Sequence, residues 1–384
     1  MPVVTTPLSG VQYSGIWTMQ QVNAAVAAGT WTGLPFLYSW GINNQGQLGL
    51  GNTTNYSSPK QIGALTNWLK IAAGYGNIAA IKTDGTLWTW GRGGNGVLGL
   101  GNTTNYSSPK QVGALTNWLN IASGYFFALA TKTDGTLWSW GANDRGQLGL
   151  GNTTYYSSPK QVGSLTTWLK VAGGNYHSAA IKTDGTLWTW GYNIFGQLGL
   201  NNTTYYSSPK QVGSGTTWRD VAECNSFFTI ATKTDGTLWS WGRNDNGALG
   251  LGNTTNYSSP KQVGSLTNWL TINGGSRFVL AIKTDGTLWS WGRNGNGQLG
   301  LNNLTDYSSP KQVGALTNWL NIAGGYNFTN SVKTDGTLWT WGKNNLGQSG
   351  LGNLTEYSSP KQVGVSTAWF NIACGRSNVV AITH

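Results

Sequence analysis

The ionisable residues that could perform catalysis are few in this sequence of 384 residues. It carries 12 Asp and Glu, 2 His and 2 Cys, and half of its acids stand directly before a glycine. Asp-Gly between two strands is typical of a tight two-residue turn. We therefore expect a structural role for these acids, which are Asp84, Asp134, Asp184, Asp235, Asp285 and Asp335. The sequence predicts no enzyme, no metal site and no cofactor.

Cations and aromatic rings are the other groups with chemistry to offer. They cluster in short segments that differ among otherwise similar stretches of the sequence. Such side chains bind ligands by stacking, hydrogen bonding and cation–π contacts. We predict that the ligand-binding residues are Tyr75, Arg92, Tyr125, Phe126, Arg145, Tyr176, His177, Tyr192, Phe195, Phe227, Arg243, Arg277, Arg293, Tyr326, Lys343 and Arg376.

These segments belong to a repeat of about 50 residues that carries one Trp-Gly pair per copy. Each copy predicts four strands, A (NWLKIAA), B (NIAAIK), C (TLWTW) and D (KQVGAL), because short β-branched and aromatic runs alternate with turn residues. Seven such copies predict an all-β, seven-bladed β-propeller of four-stranded antiparallel blades. The Trp-Gly pairs begin at Trp40, Trp90, Trp140, Trp190, Trp241, Trp291 and Trp341.

The arithmetic of the repeat predicts how the ring closes. The last copy stops before its own strand C, and the missing strand stands at the other end of the propeller as residues 35–41. We expect this N-terminal strand to complete the last blade, which removes the open sheet edge. The predicted propeller domain spans residues 34–384.

The copies resemble regulator of chromosome condensation repeats, whose pattern is roughly GGxxHSxALxxDGxLxxWGxNxxGQLG. The copy that matches best runs from Gly173 through His177 and Asp184-Gly185 to Trp190-Gly191. Members of that family are seven-bladed propellers, and they include a nucleotide-exchange factor for a small GTPase and an inhibitor of β-lactamase. The family histidine is replaced in the other six copies. Exchange in that family uses an inserted wedge, and copies of 50 or 51 residues leave no room for one.

Variation among the copies is confined to the A–B loop and the start of the C–D loop. Successive antiparallel strands reverse direction, so we expect both loops at one end of the ring. We call this end the loop face and the opposite end, with the Asp-Gly turns, the turn face. Counting the lysine after each Pro as part of the loop face gives that face most of the formal charge of +11, which would steer anionic partners.

Residues 1–33 fall outside the repeat and are predicted to form an N-terminal arm that docks or packs. Residues 18–28 have helix-compatible composition, and Gly29 would end that helix. The segment YSGIWTM, followed by AGTW, resembles a motif near the start of structural proteins of tailed phages. Neither a signal peptide nor a transmembrane segment is expected.

These observations lead to two functional hypotheses. The first is a non-enzymatic, tail-associated phage virion protein, assembled in the host cytoplasm and localised in the virion. Its loop face would bind other virion proteins, or an anionic glycan or receptor of the host surface. The alternative is an intracellular protein-interaction propeller of the chromosome-condensation-regulator type, which binds a GTPase or acts like an inhibitor. Nucleic acid is not expected as a partner, and homo-oligomerisation is left open.

Overall fold

The structure is a computed structural model that describes residues 35–222 and 226–383. The predicted N-terminal arm, its helix and the phage-like motif lie outside the described residues, as does Cys224. No helix in the described part of the chain is long and apolar enough to cross a membrane.

The described residues form seven four-stranded antiparallel sheets, which confirms the predicted propeller. Strand A is innermost in each blade: β3 (Trp68–Ala73), β7 (Trp118–Ser123), β11 (Trp168–Gly173), β15 (Trp218–Val221), β19 (Trp269–Gly274), β23 (Trp319–Gly324) and β27 (Trp369–Cys374). Strand B follows: β4 (Asn77–Lys82), β8 (Phe127–Lys132), β12 (His177–Lys182), β16 (Phe228–Lys233), β20 (Phe278–Lys283), β24 (Phe328–Lys333) and β28 (Asn378–Thr383).

The outer half of each blade consists of strands C and D. Strand C is β1 (Leu37–Gly41), β5 (Leu87–Gly91), β9 (Leu137–Gly141), β13 (Leu187–Gly191), β17 (Leu238–Gly242), β21 (Leu288–Gly292) and β25 (Leu338–Gly342). Strand D is β2 (Tyr56–Gln61), β6 (Tyr106–Gln111), β10 (Tyr156–Gln161), β14 (Tyr206–Gln211), β18 (Tyr257–Gln262), β22 (Tyr307–Gln312) and β26 (Tyr357–Gln362). One 3-10 turn occurs among the described residues, at Gly94–Gly96. We number the blades 1 to 7 from the one that begins at β3.

Blade 7 is shared between the two ends of the propeller, as predicted. Its order is β27, β28, β1 and β2, and β1 pairs with β28 from Leu37 opposite Ile382 to Gly41 opposite Asn378. The indole of Trp40 adds a further link, because its Nε1 donates to the carbonyl of Gln348 in blade 6 at 3.1 Å. The ring is therefore closed by a complete ladder of backbone hydrogen bonds and by a buried side chain.

The same indole contact joins every neighbouring pair of blades. Trp90 donates to the carbonyl of Gln47 at 3.1 Å, and Trp140 donates to that of Val97 at 2.9 Å. The glycine-rich loop that follows strand C makes room for the ring: Gly49 has φ +71°, and a Cβ there would lie 2.7 Å from Trp90 Nε1. The glycines of this loop therefore serve packing between blades.

Strand D differs from its prediction. The predicted segment began at the residues after the proline, whereas β2 runs from Tyr56 to Gln61 and contains Pro59. Proline is tolerated there because the outer edge of the strand needs no N–H donor. Lys60 pairs with Ser39 at the middle of strand C. The lysines of the outer strands therefore lie on the circumference, and the prediction that placed them on the loop face was wrong.

The turn face repeats one hydrogen-bonded unit in blades 1 to 6. Asp134 Oδ1 accepts from the Thr136 amide at 2.9 Å and from its hydroxyl at 2.6 Å, and Thr136 Oγ1 accepts from Trp138 Nε1 at 2.8 Å. The connection has three residues rather than two, because Lys132 N bonds Thr136 O across it. These hydrogen bonds confirm the structural role predicted for the turn aspartates.

Candidate functional site

The loop face is the end of the ring at which the divergent A–B and C–D loops come together. The antiparallel pairing of A with B, of B with C and of C with D places both loops at the same end of each blade. Neighbouring A–B loops are also joined through their backbones: Tyr125 N donates to Gly174 O at 3.3 Å, and Asn175 N donates to Ser226 O at 3.1 Å. The residues that vary among the copies therefore lie on loops that are hydrogen-bonded to one another.

Aromatic side chains of the loop face form one continuous chain of ring contacts across blades 1 to 4. Tyr75 and Tyr125 have ring centroids 4.1 Å apart, Tyr125 and Tyr176 5.7 Å, and Tyr176 stacks on Phe227 at 6.1 Å. We call this chain the aromatic belt. Its members are Tyr75, Tyr125, Phe126, Tyr176, Tyr192, Phe195, Tyr205 and Phe227.

Four of the predicted arginines lie over rings of the belt. Arg92 lies 4.4 Å from the Phe126 centroid, and Arg376 of blade 7 lies 4.5 Å from that of Tyr75. The other two are Arg145 over Tyr192 at 5.5 Å and Arg243 over Phe195 at 4.9 Å. A guanidinium that lies over an aromatic face can still direct the N–H donors of its own plane toward a ligand.

The arginines of blades 2, 4 and 5 also form ion pairs. Arg145 contacts Asp144 at 3.3 Å, Arg243 contacts Asp245 at 2.7 Å, and Arg277 contacts Asp245 at 3.6 Å. With the outer lysines placed on the circumference, the loop face carries both signs of charge. It is therefore a mixed aromatic and polar surface rather than the strongly cationic one expected from the sequence.

Burial and neighbouring hydroxyls perturb the tyrosines near the middle of the belt. Burial, and then the charges of Tyr176 and Tyr326, raise the pKa of Tyr125 to about 12, against a lowering by Arg92. Tyr326 belongs to blade 6 and is 38% exposed, and Arg376 links it to Tyr75 by lying 5.2 Å from its ring. Tyr326 and Arg376 therefore extend the side-chain contacts from Tyr75 to blades 6 and 7.

Three predicted residues stand apart from this arrangement. His177 is buried in β12 with 3% of its surface exposed, and its Nε2 lies 3.0 Å from Thr229 Oγ1. Burial lowers its pKa to about 4. Its assignment to the binding surface was wrong, because it occupies a strand position facing the next blade. Arg293 and Lys343 are half-buried in the C–D loops of blades 5 and 6 and touch no belt ring.

Two exposed tyrosines of the loop face escaped the sequence analysis. Tyr205 is 40% exposed and lies 4.8 Å from Tyr192, and Tyr155 is 46% exposed. Both occupy the end of the C–D loop, where other copies have Asn, Asp or Glu. That single-residue change within an otherwise constant stretch was the signal that could have identified them.

No group of three or more His, Cys, Asp or Glu suited to a metal ion occurs among the described residues. Cys374 is a buried free thiol, and burial raises its pKa to about 12. The aromatic rings and arginines of the loop face can make stacking contacts, cation–π contacts and hydrogen bonds.

Comparison with known protein families gives a match over most of the propeller. The RCC1-like domain matches residues 32–330, and the regulator of chromosome condensation (RCC1) repeat matches residues 335–382. The chain belongs to the RCC1-like domain family. Its family membership confirms the resemblance inferred from the repeat, including the pattern from Gly173 to Gly191.

Several solved structures share the fold. Human WBSCR16 is 21% identical with a TM-score of 0.81, covering 91% of this chain and 98% of its own. Prp20p from Saccharomyces cerevisiae is 18% identical with a TM-score of 0.81, covering 92% of each chain. Yeast RCC1 (Prp20) bound to Kap60 is 18% identical with a TM-score of 0.82, covering 100% of this chain and 96% of its own. No curated protein matches the sequence.

These findings correct the first functional hypothesis. The matched family is the RCC1-like domain, and the similar structures are human WBSCR16 and yeast RCC1 (Prp20) rather than virion components. The predictions of a tail-associated phage protein and of a virion localisation were therefore wrong. The comparisons favour the alternative, a protein-interaction propeller of the RCC1 type.

Proposed function

We propose that this RCC1-like propeller is a non-catalytic protein-binding scaffold, and that the loop face is where its protein partner docks. The observation that carries the proposal is the aromatic belt together with the arginines over its rings. Tyrosine and arginine, with tryptophan, are enriched at the energetic centres of protein interfaces, where a few anchors supply most of the affinity. Residues 34–384 would supply the rigid ring on which these anchors stand.

The charge pattern of the loop face supports a protein partner over an anionic polymer. Asp144 and Asp245 neutralise part of the arginine charge, and the outer lysines lie away from this surface. A polyanion would be bound best by unpaired cations. A folded protein presents apolar, polar and charged groups together, which is the mixture that the loop face complements. Protein binding also has precedent within the family: yeast Prp20p is described with its binding to Gsp1p and histones.

The experiment that tests this function is site-specific photocrosslinking followed by a binding measurement. A benzophenone side chain is introduced at Tyr326 on the loop face or, as the control, at Lys160 on the circumference. Partners crosslinked from cells that express the protein naturally are identified, purified and titrated against the uncrosslinked propeller. We expect a protein that crosslinks through position 326 and binds the purified chain.

Variants of the purified propeller then locate the docking surface. The combined change Tyr75→Ala, Tyr125→Ala and Arg376→Ala should abolish binding. The matched variant Lys60→Ala, Lys110→Ala and Lys160→Ala removes three charges from the circumference and should bind as the parent does. Equal binding by both variants, or crosslinks only through position 160, would contradict the proposal.

A further inference from the structure

Blade 4 differs from other blades at one position of the D–A connection. Gly215 stands where blades 1, 2, 3, 5 and 6 have a leucine. Those leucines are only partly packed, with between 44% and 49% of the surface exposed, and they are Leu65, Leu115, Leu165, Leu266 and Leu316. Gly215 therefore removes an apolar cover that five other blades retain.

A pocket of about 450 Å³ opens at this position. Its floor consists of the indoles of Trp218 and Trp239, with Pro260 and Leu200 at its walls. A volume of this size lies in the range of ligand pockets, about 300–1,000 Å³. Asn201, Gln211 and Ser259 add polar groups to the lining.

Lys233 supplies a cation to this pocket. Its ammonium lies 4.0 Å from the ring centroid of Trp239 and 5.0 Å from that of Trp218. The corresponding lysines of blades 1, 2, 3, 5 and 6 make the same ring contacts but are only 4% to 8% exposed, whereas Lys233 is partly exposed. The missing leucine thus uncovers both an apolar floor and a positive charge.

Lys233 forms no ion pair with an acid of the described part of the chain, although its charge contributes, after the hydrogen bonds from Thr237, to the lowered pKa of Asp235. Its nearest acid in sequence, Asp235, uses its Oδ1 to accept from the amide of Thr237 at 2.9 Å and from its hydroxyl at 2.6 Å. An incoming carboxylate would therefore meet an ammonium that is partly desolvated by two indoles, a setting in which charge-assisted hydrogen bonds are strong.

We infer that the pocket between blades 3 and 4 binds a leucine side chain of a protein partner that carries a carboxylate beside it. The leucine would take the place of the one this blade lacks, and the carboxylate would bond Lys233. This pocket lies at the D–A end of blade 4, away from the loop face, so the inference does not depend on the proposed function.

Three capped peptides test the inference by titration while the indole N–H signal of Trp218 is followed by NMR. They are Ser-Asp-Leu-Asp-Ser, the same peptide with both Asp replaced by Asn, and the same peptide with Leu replaced by Ala. We expect a saturable shift with the first peptide, and at least about tenfold weaker binding when either the carboxylates or the leucine is removed.

Two variants distinguish specific binding in the pocket from nonspecific binding of the peptide. Gly215→Leu restores the cover, and a Cβ at this position would meet only Trp218 Nε1 at 3.9 Å, so the change fits without strain and should abolish binding. Leu165→Gly should create a second site over Trp168 and Lys182. No saturable shift with the first peptide, equal shifts for all three peptides, or unchanged binding in Gly215→Leu would each overturn the inference.

Discussion

The two ends of the ring are built from the same repeat, yet their polar groups are used differently. At the turn face each aspartate is bonded to the threonine two residues later and that threonine to an indole, so the polar atoms are satisfied within one blade. At the loop face, the side chains of Tyr75, Tyr125 and Arg376 contact residues of neighbouring blades and remain accessible. The comparison teaches that the repeat secures the scaffold at one end and leaves the other end free to diversify.

The largest expected effect separates scaffold from surface. Trp140 is fully buried and donates to the carbonyl of Val97 in the preceding blade. Trp140→Ala should lower the free energy of unfolding by about 3–5 kcal/mol, through lost packing and an unpaired carbonyl. Tyr326→Ala, at an exposed site, should lower it by less than about 0.5 kcal/mol. Urea unfolding measures both values, and similar losses would show that the loop face is part of the scaffold.

Partner binding should depend on the loop face and not on the circumference. Tyr125→Ala removes the central ring of the aromatic belt and should weaken binding of the crosslinked protein partner by about 2 kcal/mol, or roughly 30-fold. Lys160→Ala on the circumference should change affinity by less than about threefold. Calorimetric titration of the two variants decides the matter. A larger loss from Lys160→Ala would place the interface on the outer strands.

Acid should act on the turn face. Hydrogen bonds from the Thr136 hydroxyl and amide hold the pKa of Asp134 below its ordinary value, and the same holds for Asp184, Asp235 and Asp285. The unfolded chain therefore binds more protons, so stability should fall as the pH drops from about 5 through the ordinary pKa of about 3.9 and below. Thermal unfolding between pH 2 and 6 measures this slope.

A matched variant assigns the acid effect to the turns. Asp134→Asn keeps the shape of the side chain but cannot ionise, so it should make the dependence of the unfolding temperature on pH shallower. An unchanged slope in Asp134→Asn would indicate that other acids cause the loss of stability.

Alkali should act weakly on the loop face. Burial raises the pKa of Tyr125 to about 12, whereas an unfolded tyrosine ionises near pH 10. The stability contributed by neutral Tyr125 should therefore be lost as the pH rises from about 10 toward 12. Spectrophotometric titration should show that Tyr125→Phe loses a late-ionising tyrosine. Loss of an ordinary tyrosine with a midpoint near pH 10 would show that the belt is open to solvent.

The sequence was sufficient to predict the ring and its closure, because a period of 50 residues and the place of the missing strand are properties of the chain alone. It was not sufficient to place Lys60. That placement depends on strand D accepting Pro59 within its length, which only the exposed outer edge of the blade permits. The prediction therefore assigned seven lysines to the loop face, and this excess of positive charge was the reason for predicting an anionic ligand.

The sequence could place the residues of the loop face only in part, for the same kind of reason. Divergence among copies identified Tyr75, Tyr125 and Arg376, but divergence cannot show which way a side chain faces. His177 differs from the residue in the other copies, yet it is buried and its Nε2 lies 3.0 Å from Thr229 Oγ1 of the next blade. Contacts such as that between Arg376 and Tyr75 join residues about 300 positions apart and depend on ring closure.

Hydrogen exchange of the propeller, with and without its purified protein partner, tests most directly whether the loop face is the docking surface. We expect slowed exchange in the A–B loops at residues 74–77, 124–127 and 174–177, with unchanged exchange at the turns of residues 83–86 and 133–136. Protection confined to those turns or to the outer strands would contradict the account.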